Sequence, residues 1–187
     1  MKTLKNLFLG VLAICLFTIT AKAQTTQTTS ENPLHFGVGL ESGITTSGIA
    51  SKTELGATAR LQYDVSKNFA LTLTSGYYEF LGTSVRRAMG MVPVKLGLKA
   101  FVGSGFYFSG EGGIGIETQN FNAIKNMDNG IPMTTKLLWS GGFGYAIKSW
   151  DFSLRYESFF GSNHNYYVND HSNSNFSMIG LRVGYNF

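Results

Sequence analysis

The sequence predicts an all-β chain: an eight-stranded antiparallel up-and-down β-barrel that crosses a membrane, with short turns at one end and long loops at the other. Three observations lead there. Segments of about 9–14 residues with strand character recur along the chain, and a tilted strand needs about 9–11 residues to cross a bilayer. The connections between them alternate long and short, as in a barrel of the outer-membrane type. Within the segments, every second residue is apolar and charge is confined to the positions between.

The chain has 187 residues, and its beginning belongs to export rather than to the fold. Lys2 and Lys5 precede an apolar run from Leu7 to Ile19, and Ala21-Lys22-Ala23 has the small-x-small form of a cleavage site. Residues 1–23 are therefore predicted to be a cleaved signal peptide. Residues 24–33 form a flexible polar leader, opening with "QTTQTTSEN", and 34–187 form the barrel domain. The single cysteine, Cys15, lies in the signal with Ile14 before it, so neither lipidation nor a disulfide is expected. Of the 15 basic residues, Lys2, Lys5 and Lys22 leave with the signal, and the remaining twelve nearly balance the 11 acidic ones. Nothing then speaks for nucleic acid as a partner.

The eight strands are expected at about 34–42, 53–63, 69–79, 91–102, 106–118, 134–147, 152–161 and 175–187. Tight turns fall at "DVSKN", "GSG" and "KSWD". Long connections are "GITTSGIASK", "FLGTSVRRAMG", residues 119–133 and "SNHNYYVNDHSNSN". One face of the strands runs through Leu34, Phe36, Val38 and Leu40, then Leu55, Leu61 and Tyr63, Phe69, Leu71 and Leu73, and so on to Tyr185 and Phe187, with no charge expected on it. The other face carries Glu41, Glu54, Arg60, Lys95, Lys99, Glu111, Glu117, Lys136, Arg155, Glu157 and Arg182. A soluble barrel would be apolar inside and polar outside. Here the apolar face needs lipid, where a midplane Arg or Lys costs roughly 2–4 kcal/mol. Tyr63, Phe69, Tyr77, Phe106, Trp139, Tyr185 and Phe187 stand near strand ends, where aromatic girdles belong.

Gly110, Gly112 and Gly115 in "FYFSGEGGIGIET" match G-x-G-x-x-G. A dinucleotide site would need a helix after the glycines. The following "IETQNFNAIKNMDNG" has no helical apolar stripe, so no cofactor is expected. Inward glycines such as Gly37, Gly39, Gly113 and Gly115 instead suit a narrow lumen.

The architecture and the terminal "IGLRVGYNF" resemble the eight-stranded outer-membrane barrels of Gram-negative bacteria, of the OmpA transmembrane-domain and OmpX/Ail type, and the small outer-membrane barrel domains of Bacteroidetes. The resemblance covers the whole chain after the signal peptide. It implies a bacterial outer-membrane location, short periplasmic turns, long extracellular loops, a monomer surrounded by lipid, and a terminal signal in Tyr185 and Phe187 read by the barrel-assembly machinery. It also brings in lipid A-modifying enzymes on similar barrels, which use a His with a Ser near the membrane face.

Eight strands leave an interior that side chains can fill. Arg60, Lys95, Lys99, Glu111, Arg155, Glu157 and Arg182 are expected near mid-barrel as a paired charge network, with Glu157 the partner of Arg182 and Glu111 the second choice. Gly37 and Gly39 on the first strand offer no charge at that height. His35 is expected inward near the turns, and His164 and His171 in the last loop. No His-x-Ser falls on the lipid face, and His164, Asp170 and His171 in a solvated loop make no convincing metal site, so neither an enzyme nor a bound metal is expected. The last loop, with Tyr166 and Tyr167, suits contact with a surface ligand. The expected role is structural or surface-interacting, with a small conductance as the alternative.

Overall fold

The computed structural model describes residues 33–47, 53–82, 88–118, 135–164, 171–173 and 175–187. The expected signal peptide, almost all of the polar leader and the tips of the long connections lie outside them. Ten strands occur among the described residues: β1 (Leu34–Ser47), β2 (Thr53–Ser66), β3 (Phe69–Phe80), β4 (Met89–Gly103), β5 (Phe106–Glu117), β6 (Thr135–Ile147), β7 (Trp150–Phe160), β8 (Ser162–His164), β9 (His171–Asn173) and β10 (Phe176–Asn186). All but β8 and β9 form one closed barrel in the order β1-β10-β7-β6-β5-β4-β3-β2, every pair antiparallel.

Closure is made by β1, which pairs with both β2 and β10. Leu40 stands opposite Ala57 on one side and Val183 on the other. Beyond the strands, Asn186 donates its amide to Ser149 and Phe187 to Phe36, at 2.7 and 2.8 Å. A closed sheet leaves no unpaired edge, which is the condition for strands to lie in hydrocarbon.

The three tight turns are Lys67-Asn68, Ser104-Gly105 and Lys148-Ser149. Ser66 Oγ accepts the amides of Asn68 and Phe69 at 3.3 and 3.2 Å. At the third turn Lys148 adopts φ 53°, the left-handed region.

Side chains alternate along every barrel strand as the period of two requires. Leu40, Leu96, Leu137 and Phe108 point outward and are exposed, Leu40 at 71% and Leu96 at 69%. All eleven charges assigned to the inner face are buried. Two outward serines near the long-connection end, Ser158 and Ser177, satisfy each other through their hydroxyls at 2.9 Å. Gly110 and Gly112 face outward, while Gly115 faces inward, where an added Cβ would stand 2.4 Å from Met91 Sδ. All three lie in the unbroken strand β5, so the glycine motif is a strand and not a phosphate-binding turn.

Four expectations need correction. The outer face is not free of charge: Glu79 is exposed on β3, opposite Leu55 and Gly90 near the long-connection end, where an outward charge costs little. The first strand does not end at 42 but runs to Ser47, so Glu41 sits near the middle of the strand rather than at its end. The seventh begins at Trp150, so Asp151 is a buried strand residue rather than part of a turn. The last long connection is not without strands. β8 and β9 pair Ser162 with Asn173 and His164 with His171, in the register of Phe159 and Phe176 below them. Their polar composition hid a ladder that simply prolongs the β7–β10 hairpin.

The left-handed turn generates a test. Lys148→Gly removes the Cβ conflict and is expected to raise stability by up to about 1 kcal/mol, while Lys148→Val costs about 1–2 kcal/mol. Urea unfolding midpoints of the barrel folded in lipid vesicles measure both. Equal midpoints for the two variants would contradict the turn geometry.

Candidate functional site

The inward face of each strand delivers its charges at a height set by strand tilt and stagger, about 35–45° in barrels of this kind. The result is a ring. Glu111 pairs with Arg60 at 2.9 Å, and Arg60 reaches Asp151 at 3.9 Å. Asp151 pairs with Arg182 at 3.2 Å, and Arg182 with Glu41 at 3.5 Å. Glu41 binds Arg155, which pairs with Glu157 at 2.7 Å. Lys95 then joins Glu157, at 3.4 Å, to Glu111, at 3.3 Å, and closes the circuit. Four carboxylates and four cations alternate around the lumen, and Lys99 adds a fifth cation on Asp151.

Neutral groups complete the coordination. Thr58 donates to Glu41 at 2.7 Å and Arg60 Nε donates to Thr74 at 2.9 Å. Tyr107 donates to Asp151 at 2.9 Å. Tyr78 accepts from Lys95 at 2.8 Å and from Arg155 at 3.1 Å. Glycine makes the room: a Cβ at Gly39 would stand 2.7 Å from the Arg182 guanidinium carbon, and one at Gly184 2.3 Å from its Nη1.

All seven residues expected in the network therefore meet in the lumen. Two members were not expected there, Glu41 and Asp151. The expected Arg182–Glu157 pair does not form, nor does Arg182 contact Glu111. Arg182 stands opposite Glu41 across the β1–β10 ladder, so strand one does offer it a charge. Neighbouring strands are staggered, so residues equally far from their strand ends do not share a height.

The lumen is not polar throughout. On the long-connection side of the ring lies a layer of Tyr78, Phe80, Met89, Met91, Leu138, Phe159, Phe176 and Met178, all buried. Phe159 stacks on Phe176 at 4.3 Å, and Phe80 meets both edge-on at 6.0 and 5.3 Å. Tyr78 belongs to both layers, its ring in the apolar one and its hydroxyl on the ring of charges. Lys136 pairs with Glu117 at 3.3 Å as a separate buried contact. At the turn end, half-buried His35 meets Asp64 at 3.1 Å, and Gln62 donates to the same carboxylate at 2.8 Å. Among the described residues no group of three or more His, Cys, Asp or Glu is placed to hold a metal. Asp170 and the side chains of His164 and His171 lie outside the description. Tyr185 and Phe187 are exposed on the outer face, their rings edge-on at 5.3 Å, and Phe187 also stacks on Phe36 at 6.0 Å.

No family model and no curated protein matches the chain. Solved structures do. The N-terminal β-barrel domain of Pseudomonas aeruginosa OprF is 13% identical, with a TM-score of 0.55 over 82% of this chain and 97% of that one. The fold is that of the small eight-stranded outer-membrane barrels. Ail, the attachment invasion locus protein of Yersinia pestis, superposes with a TM-score of 0.52 at 12% identity, over 82% of this chain and 96% of its own. Neisserial surface protein A does so with 0.51 at 11% identity, over 83% and 98%.

The ring makes a specific claim about coupling. Double-mutant cycles with Arg182→Gln and Glu41→Gln are expected to show an interaction of about 0.5–3 kcal/mol, and cycles with Arg182→Gln and Glu157→Gln, which the ring joins only through Glu41 and Arg155, a smaller one. Urea unfolding in lipid vesicles reads both. The reverse order of couplings would break the ring as drawn.

Proposed function

We propose that the protein is a bacterial outer-membrane barrel with a closed lumen, which acts as a structural or surface-interaction protein through its long connections. The observation that carries this reading is the division of the wall. An apolar face surrounds the barrel, while among the described residues six basic and six acidic side chains are buried inside it. Only lipid outside makes that division favourable. The outer-membrane location also draws support from the neighbours, which are barrels of that membrane.

The lumen is blocked twice, by the charged ring and by the aromatic–methionine layer, which argues against a standing diffusion pore. Function then falls to the ends. The short turns offer little surface. The long connections face the outside in this reading, and the Tyr- and Asn-rich 162–175 is the segment best suited to contact. Two of the neighbours are named as a surface protein and an attachment invasion locus protein, which agrees with a role at the cell surface. The exposed Tyr185 and Phe187 are the assembly signal in the same reading. No catalytic or cofactor role is assigned.

Leu96→Arg places a charge near the middle of the outer face, at a cost of roughly 2–4 kcal/mol. It is expected to abolish the heat-modifiable folded band in outer-membrane fractions, whereas Leu96→Ala keeps it. Equal folded bands for the two variants would remove lipid from the outer face. Deleting the four long connections one at a time and scoring cell-surface binding tests the contact role. Binding left intact by every deletion would refute it.

A further inference from the structure

Glu54 is a buried acid that the ring does not use. It is on β2, opposite Gly43 of β1 and Phe80 of β3, beside the apolar layer. Its side chain is fully buried, and neither carboxyl oxygen has a hydrogen-bond partner among the described residues. The carboxyl group is seated inside the layer. A Cβ on Gly56 would stand 2.7 Å from Glu54 Oε1 and 2.6 Å from the ring of Tyr78. A Cβ on Gly43 would stand 3.0 Å from Oε2 and 2.3 Å from Met178 Cε. Two glycines thus leave the space in which an acid lies against an aromatic ring and a thioether methyl.

The charged groups around it are each paired with other groups, and the two guanidinium nitrogens left unpartnered among the described residues, Arg155 Nη1 and Arg182 Nη2, do not bond Glu54 either. On β1, Glu41 is held by Arg155 and Arg182. On β3, the Tyr78 hydroxyl is held by Lys95 and Arg155. Lys95 on β4 and Glu157 on β7 are each engaged in the ring. Glu117 on β5 and Lys136 on β6 hold each other. β10 presents Met178, and its Arg182 is tied to Asp151. An ionised carboxylate that accepts no hydrogen bond and forms no ion pair does not persist in such surroundings; the group is neutral or it moves to water.

We propose that Glu54 is a proton-operated latch on the apolar layer that shuts the lumen. Protonated, its carboxyl packs among Tyr78, Met178 and Phe80, and the layer is closed. Ionised, it leaves the layer for solvent, draws β2 and its neighbours away from Phe80, and opens the long-connection end down to the charged ring. The closed state holds one more proton than the open state, so rising pH favours opening and falling pH favours closure. The latch deepens the closed-lumen reading and rests on it.

The test is the accessibility of a spin label at Met89, in the apolar layer, to a water-soluble nickel complex, read in vesicles from about pH 5 to about pH 9 on an otherwise wild-type barrel and on one that also carries Glu54→Gln, paired with infrared spectra of the unlabelled wild type and of Glu54→Gln in lipid. With Glu54 present, accessibility is expected to be low at the acid end and to rise with pH, the open population growing by at most about tenfold per pH unit for one linked proton. Glu54→Gln keeps the neutral form and is expected to stay inaccessible throughout. The infrared spectrum of the closed wild type is expected to hold a protonated carboxyl carbonyl band that fades as pH rises and is missing from the variant. Accessibility that rises with pH equally in both proteins overturns the latch and leaves the closed lumen standing. Low accessibility at every pH with Glu54 present, or no such band in the wild type, also overturns the latch. Steady wild-type conduction in planar bilayers at every pH overturns the closed lumen itself, and the latch with it. The band is read on the wild type, so the test stands even if the variant folds poorly.

Discussion

A barrel wall one residue thick can hide charge on one side only. Hydrocarbon accepts neither a bare peptide group nor an ionised side chain, so closure of the sheet and the inward turn of its charges are two consequences of one constraint. Closure is met by β1, paired on both edges. Among the described residues, the inward turn puts six basic and six acidic side chains into a lumen bounded by only eight strands. Everything distinctive inside follows from the need to satisfy them there.

The ring is how most of them are satisfied. Alternating signs give each carboxylate two cations and each ring cation two carboxylates, so that no member depends on a single contact. Pairs of this kind add little net stability compared with a well-packed apolar interior, because desolvation offsets most of the attraction, but the loss of one partner is costly. The ring is therefore better understood as fixing which strands lie opposite one another than as the source of stability. It joins β1, β2, β4, β5, β7 and β10 across the lumen, connections that the neighbour-to-neighbour ladder cannot make. The apolar layer above it has the complementary character. It is packed from Phe, Met, Leu and Tyr, adaptable side chains of low polarity, with one acid among them.

The wall was legible in the sequence and the lumen only in part. A period of two needs no knowledge of neighbours, so the outward Leu, Val and Phe positions and the inward charges could be assigned from one strand at a time. The tight turns were readable for the same local reason. Partners across the lumen depend on stagger between strands, which no single segment encodes. That is why Arg182 was matched with Glu157 when its neighbours are Glu41 and Asp151. Asp151 was further hidden because Lys148 to Asp151 has the composition of a turn, though only Lys148 and Ser149 form it. The apolar layer is not legible in any one segment because its members come singly or in small numbers from several strands. Phe80 and Met89 lay outside the expected strand limits, and an inward Phe159 or Met178 looks unremarkable until the strands are brought together.

The central claim is that one side of each strand meets lipid and the other a closed, dry lumen. Single spin labels placed in turn at positions 94 to 99 of β4 in vesicles report it directly, through collision with oxygen, which concentrates in lipid, and with a water-soluble nickel complex. The account predicts high oxygen accessibility at 94, 96 and 98, and low accessibility to both reagents at 95, 97 and 99. Nickel accessibility at 95, 97 and 99 would mean a water-filled channel, and oxygen accessibility without a period of two would mean that β4 is not a wall of a lipid-embedded barrel.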